Sequence, residues 1–154
     1  MSRAIAKFIR PEIIIEFLRQ CKEETGLNVI ITRTDTTLEE QTALYAQGRK
    51  SLDYVNQLRK QAGMELITEK ENSYCVTWTM KSNHLPDSNG LSHAFDFGVI
   101  YNGKYITDIK ADVDNDKIPD YVECALIGEK LGLKSGQRFS NPDFPHLEYK
   151  KEVN

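Results

Sequence analysis

Three histidines, His84, His93 and His146, and the carboxylates near them are the groups in this sequence whose types and spacing could do chemistry. Two of them fall in SNHLPDSNGLSHAFDFG, residues 82 to 98, a stretch that reads as loop running into strand and also carries Asp96. The third stands in DFPHLEY. A hydrolytic zinc centre takes three N/O ligands and keeps a fourth position for water, and His84, Asp96 and His146 make such a set. Along HAFDFGV, side chains alternate faces. Ala94, Asp96 and Gly98 share one face, and His93, Phe95 and Phe97 the other. His93 therefore points away from Asp96, so His84 is the expected ligand and His93 the fallback. Three histidines among 154 residues is near background, and composition alone favours a domain without metal. The pairing with the downstream segment argues for the metal.

Asp143 precedes His146 by three positions. A carboxylate there could take a proton from an attacking water and return it to a leaving amine. The competing reading is an Asp that caps a turn after Pro142. Pro145 keeps the residue before it extended. A second constellation is ADVDNDKIPDYVE. Counted from Asp112, the carboxylates Asp112, Asp114, Asp116, Asp120 and Glu123 have the oxygen spacing of an EF-hand calcium loop, but Lys117 stands where the sharp turn wants glycine. The plainer alternative is an acidic loop that opens a helix. If it takes calcium, it would couple metal binding to the neighbouring strand pair and keep the protein silent where calcium is low.

The elements that must position these groups follow from periodicity and caps. Pro11 suits a helix first turn, apolar residues 14, 17, 18 and 21 share a face, and Gly26 is a natural C-cap. LNVIITR reads as a strand over 28–33. Thr36 or Thr37 caps a second helix running to about Gly48, and 51–63 reads as a third, polar helix. SYCVTWT, 73–79, is β-rich. HAFDFGVIY turns through Asn102–Lys104 into YITDI as a hairpin. Pro119 or Asp120 opens a last helix ending near Gly132, and the chain closes as loop plus strand. The expectation is one α+β domain over 1–154 with a central, mostly antiparallel sheet.

Composition excludes several classes. The net charge is -3 and no basic stripe dominates, which argues against nucleic acid. The N-terminal apolar run is broken by Glu12 and Glu16, so no signal peptide or membrane span is expected. The three cysteines, Cys21, Cys75 and Cys124, form no CxxC and read as free thiols of a reducing cytoplasm.

Together these residues resemble the zinc D-Ala-D-Ala metallopeptidase family, most closely its phage branch of L-alanyl-D-glutamate peptidases (endolysins). The signature S-x-H-x-x-G-x-A-x-D, followed downstream by [DE]-x-x-H, matches as Ser82-Asn83-His84, Ala94-Phe95-Asp96 and Asp143-Phe144-Pro145-His146. Upstream, Thr32-Arg33-Thr34, Glu40-Gln41 and the string LYAQGR, Leu44 to Arg49, also match. The spacing departs from the family, because eleven residues separate His84 from Asp96 and leave Gly90 an unsettled counterpart of the motif glycine. The segment after LYAQGR is also long and reads as a flap. The resemblance implies a Hedgehog/D-Ala-D-Ala peptidase-like fold, with His84, Asp96 and His146 as zinc ligands and Asp143 as general base and acid. It makes Arg33 an oxyanion stabiliser, against the alternative of a salt-bridged surface arginine. Ser82 and Gln41 would contact substrate or orient neighbouring groups. Leu44 and Tyr45 read as helix core, and Trp78 as a buried aromatic with the groove as its alternative.

The activity implied is hydrolysis of the L-Ala–D-Glu bond in the peptide stem of bacterial peptidoglycan, by a monomeric lysis enzyme made in the host cytoplasm and acting on the wall after release, with zinc as cofactor and calcium as a candidate regulator. No wall-binding module is expected. Two alternatives remain: a D-Ala-D-Ala carboxypeptidase or dipeptidase with the same zinc site, and a non-catalytic, zinc-stabilised binding module.

Overall fold

The computed structural model describes residues 2–149. A Ser2-capped turn of helix, α1 (Arg3–Ala6), leads into α2 (Pro11–Thr25). Helix α2 buries Ile14, Phe17 and Cys21 on one face and ends on Gly26, whose φ of 75° only glycine adopts freely. Strand β1 (Asn28–Arg33) follows, then α3 (Leu38–Ala46), whose start is fixed by a reciprocal capping box between Thr37 and Glu40. Ser51 caps α4 (Leu52–Gln61). Strand β2 (Ala94–Tyr101) and β3 (Lys104–Ile106) form the expected hairpin, with Asn102 and Gly103 both at positive φ. Helix α5 (Asp120–Lys130), β4 (Leu133–Ser135) and β5 (His146–Tyr149) complete the order.

The sheet is antiparallel in the order β1-β2-β5-β4, with β3 also paired to β2. Alternation along β2 divides the molecule as the sequence predicts. Phe95, Phe97 and Val99 enter the core against Phe8, Phe17 and Tyr121, while Asp96 faces the opposite side. Each of those buried side chains contributes about 1.5–3 kcal/mol of transfer free energy, so β2 is held rigidly from behind. Among the described residues no helix is long and apolar enough to cross a membrane. The cysteines are free, Cys21 and Cys124 buried in the core.

Two expectations need correction. The segment 73–79 is not a strand: it runs irregularly, with Tyr74, Val76 and Trp78 exposed. β-propensity measures fit to a pleated neighbour, and no strand lies beside this segment; among the described residues the backbone N–H groups of residues 75–78 make no hydrogen bond. Side chains hold it instead. Gln41, only 1% exposed, donates to the Thr79 carbonyl at 2.7 Å and Thr77 Oγ1 at 3.3 Å, and Gln47 donates to the Glu71 carbonyl at 2.9 Å. Gly48 lets the chains touch: a Cβ there would lie 2.6 Å from the Tyr74 carbonyl carbon. The second correction is the expected strand YITDI, which keeps its ladder only through Ile106.

Candidate active site

Sheet register assembles the centre. Arg33 on β1 lies opposite Asp96 on β2, and Asp96 lies opposite His146 on β5. Cross-strand partners point to one face, so three neighbouring strands deliver three functional side chains to one spot. An irregularity between Ile31 and Arg33 brings Arg33 into that register. His84 comes from the loop and is pinned by the chain just beyond β1: its carbonyl accepts from Thr36 N–H at 2.8 Å, and its ring Nδ1 is 2.7 Å from the Thr34 carbonyl.

The result is a nearly equilateral triangle of donor atoms. His84 Nε2 lies 3.2 Å from Asp96 Oδ1, His146 Nδ1 lies 3.3 Å from the same oxygen, and the two nitrogens are 3.2 Å apart. A tetrahedral zinc with bonds of about 2.0–2.1 Å has ligand–ligand edges of roughly 3.3–3.4 Å. Asp96 Oδ1 is buried and accepts no aligned hydrogen bond, although both imidazoles are close. A buried, unpartnered carboxylate oxygen at the apex of two imidazoles fits a metal ligand, and the group could hold a metal ion. Burial opposes the charge on Asp96, but His146 and His84, with Arg33 behind them, outweigh it and hold the carboxyl well below the usual range. For His146 burial likewise opposes protonation, yet Asp96 and Glu148 lift it to about 9 on the protein charges alone.

The far nitrogens of both rings are also occupied. His84 Nδ1 meets the Thr34 carbonyl, and His146 Nε2 meets Glu148 Oε1 at 2.8 Å. Such partners fix the tautomer and aim the free nitrogen. Asn83 Nδ2 donates to the other Glu148 oxygen at 2.7 Å. The sequence reading missed Glu148, although two residues after His146 on a strand is the same face. It also missed Gly136, where a Cβ would sit 2.3 Å from the Asp143 carbonyl oxygen.

Of the two histidines in the opening motif, His84 joins the triangle. His93 turns away and contacts Asp87 Oδ2 at 2.8 Å. The long spacing is absorbed by a compact turn in which Asp87 accepts from the N–H groups of Asn89 and Leu91. Its neck is closed by the His93 N–H bond to the Asn83 carbonyl at 2.8 Å.

The triangle floors a cavity of about 560 Å³. Arg33, Ser82 and Asp143 line it, together with Leu44, Val76 and Trp78 and with Phe139 and Pro142. Asp143 accepts no side-chain hydrogen bond from the described residues, so it is not spent on capping a turn. It reaches solvent through the cavity mouth, yet the protein crowds it closely. That crowding and the negative charge of Asp96 push its carboxyl upward, against the pull of His146, His84 and Arg33. Arg33 Nε is 3.7 Å from Asp96 Oδ2 and has no hydrogen-bond partner among the described residues. Ser82 Oγ accepts from His84 N–H at 3.1 Å and so shapes the ligand loop. Gln41 is not in the cavity lining and acts through the wall it holds. Leu44 and Trp78, expected in the core, belong to the cavity, and Trp78 is 60% exposed. They were misassigned because helical and aromatic patterns signal burial without saying which surface is covered.

The acidic segment 112–123 gathers as two overlapping groups, Asp112, Asp114, Asp120 and Asp114, Asp116, Glu123. Lys117 adopts φ 69°, the left-handed conformation that the glycine position requires. Burial, then Asp116 and Asp114, raise Glu123 to about 8, and its Oε2 is buried with no hydrogen-bond partner among the described residues.

No protein-family model matches the chain. No curated protein matches it either. Among solved structures, the crystal structure of Serratia marcescens L-Ala D-Glu endopeptidase ChiX aligns with a TM-score of 0.55 over 96% of this chain and 84% of that one, at 12% identity. At that identity the likeness speaks for the fold. The chain has the α+β, D-Ala-D-Ala peptidase-like architecture, with a five-stranded antiparallel sheet flanked by helices.

Proposed function

We propose that this chain is a zinc-dependent peptidoglycan endopeptidase that cleaves the L-Ala–D-Glu bond of the stem peptide, working as a phage-type lysis enzyme on the wall after release from the host cytoplasm. The observation that carries the reading is the 3.2–3.3 Å donor triangle at the floor of a cavity, with an uncommitted carboxylate beside it. The fold of an L-Ala D-Glu endopeptidase supports the choice of bond. A zinc ion held by His84, Asp96 and His146 would polarise the scissile carbonyl and make water nucleophilic near neutral pH. Asp143, with its raised proton affinity, takes the proton of the attacking water and passes it to the departing amine. Arg33 presents a cation to the oxygen on which charge develops. Ser82 and Gln41 keep the ligand loop and the cavity wall in place.

The test is zinc content together with mass-spectrometric products from purified peptidoglycan. Wild type should hold one zinc per chain and release peptides beginning at D-Glu. His84→Ala should lose both, His93→Ala neither, and Asp143→Ala should keep zinc while turnover falls about 10²–10⁴-fold. Release of terminal D-Ala alone would point to the carboxypeptidase; zinc without hydrolysis would leave a binding module.

For the acidic loop, the raised Glu123 and the left-handed Lys117 favour a calcium site, Asp112, Asp114, Asp116, Asp120 and Glu123 supplying oxygens. Calcium that moved neither activity nor melting temperature would remove it.

A further inference from the structure

The chain's single tryptophan stands on the rim of the cavity with most of its ring in water. It is braced from behind. The Arg49 guanidinium lies 5.4 Å from the Trp78 ring centroid and 4.0 Å from that of Tyr45, and its Nη1 donates to the Tyr45 carbonyl at 2.7 Å. Both ring distances fall within cation–π range. Arg49 has no acidic partner among the described residues, so stacking and this one hydrogen bond fix it. An exposed indole held against Arg49 leaves apolar surface in water, and a partner that covers it recovers that free energy. Tyr74 and Val76 continue the exposed apolar edge along the same segment.

We propose that Trp78 is a stacking platform for a sugar ring of the glycan strand, so that this site prefers stem peptides still attached to N-acetylmuramic acid. The inference rests on the endopeptidase reading. In peptidoglycan only a lactyl group and one L-alanine separate the sugar from the carbonyl to be cut. Each spans about 3.5 Å when extended, which places the ring on the order of 7 Å from the reacting carbon. The triangle and Trp78 line the same cavity, so with that carbon over the triangle the sugar is within reach of the flat apolar face that Trp78 offers to its C–H groups. A free peptide has nothing to lay there.

The experiment uses the zinc-loaded protein and two probes, the GlcNAc-MurNAc-L-Ala-D-Glu compound and the free L-Ala-D-Glu dipeptide. In Asp143→Asn, which binds without turning over, the disaccharide compound should shift the tryptophan emission and the dipeptide should not. In the otherwise unaltered enzyme, Trp78→Ala should raise KM for the glycan-linked substrate roughly 3- to 10-fold with kcat unchanged, leave the free peptide's KM as it was, and be rescued by Trp78→Tyr. Equal emission shifts with both probes, no shift with either, or a KM rise for both substrates would overturn the platform. If the emission shifts but wild type cleaves neither substrate, the endopeptidase reading fails and the platform stands.

Discussion

The His84–Asp96–His146 triangle and the acidic segment 112–123 are both clusters of potential metal ligands, and they are built in opposite ways. Two corners of the triangle, Asp96 and His146, stand on adjacent strands backed by a phenylalanine core, the third, His84, is pinned to the chain just beyond β1, and the imidazoles are aimed by Thr34 and Glu148. Its donors are already at the spacing an ion needs. The acidic segment is a loop whose carboxylates satisfy the loop's own backbone: Asp112 accepts from Lys117 N–H at 2.9 Å, and Asp120 from Val113 N–H at 3.0 Å. Its remaining charges repel, as the upward shifts of Asp114, Asp120 and Glu123 record, with burial the first cause of each. One cluster is preorganised by the sheet; the other would be drawn together by the ion.

That contrast can be broken experimentally. The largest effect should come from Glu148→Gln, which leaves the three ligands in place but loosens the aim of His146. Zinc affinity should fall about 10- to 100-fold, read by competition with a chromophoric chelator, whereas Asp112→Asn should not change it. Unchanged affinity in Glu148→Gln would mean the sheet alone sets the geometry. Next, calcium at a hundredfold excess over its dissociation constant should stabilise the fold by about 2.7 kcal/mol, seen as a higher melting temperature in wild type and absent in Asp114→Asn.

The pH response should be smaller. Glu123 holds its proton more tightly in the fold than its ordinary carboxyl value, so its contribution is present below about pH 4.5 and lost as pH rises towards 8. Calcium-free protein should therefore lose melting temperature across that window, and Glu123→Gln should flatten the decline. The smallest change is Lys117→Gly. It removes a left-handed non-glycine residue and should stabilise the loop by about 1 kcal/mol in denaturant titrations. No gain would show that the lysine side chain compensates for its backbone.

Much of the triangle was legible because it depends on strand alternation: Phe95 and Phe97 must be buried, so Asp96 must face away, and His93 with them is turned from it. Glu148 obeyed the same rule and was readable in principle. The Thr34 carbonyl was not, since a backbone acceptor leaves no trace in residue identity. The cavity wall was misread because Tyr74, Cys75, Val76 and Trp78 have strand-forming side chains, and only the tertiary arrangement reveals that among the described residues no strand pairs with them. The string LYAQGR has a task that was not legible in the sequence. It does not reach the ligand triangle, and its Gln47 and Gly48 seat the wall that carries Trp78.

The closed neck of the turn between Asn83 and His93 separates distance along the chain from distance in space. His84 is placed by that neck and by the chain just beyond β1, and its bonds run to neither Pro86 nor Gly90. The turn is thus held at two levels, the neck that fixes His84 and the Asp87 hub that folds the tip, and the second can change without moving the first only while the neck stays closed.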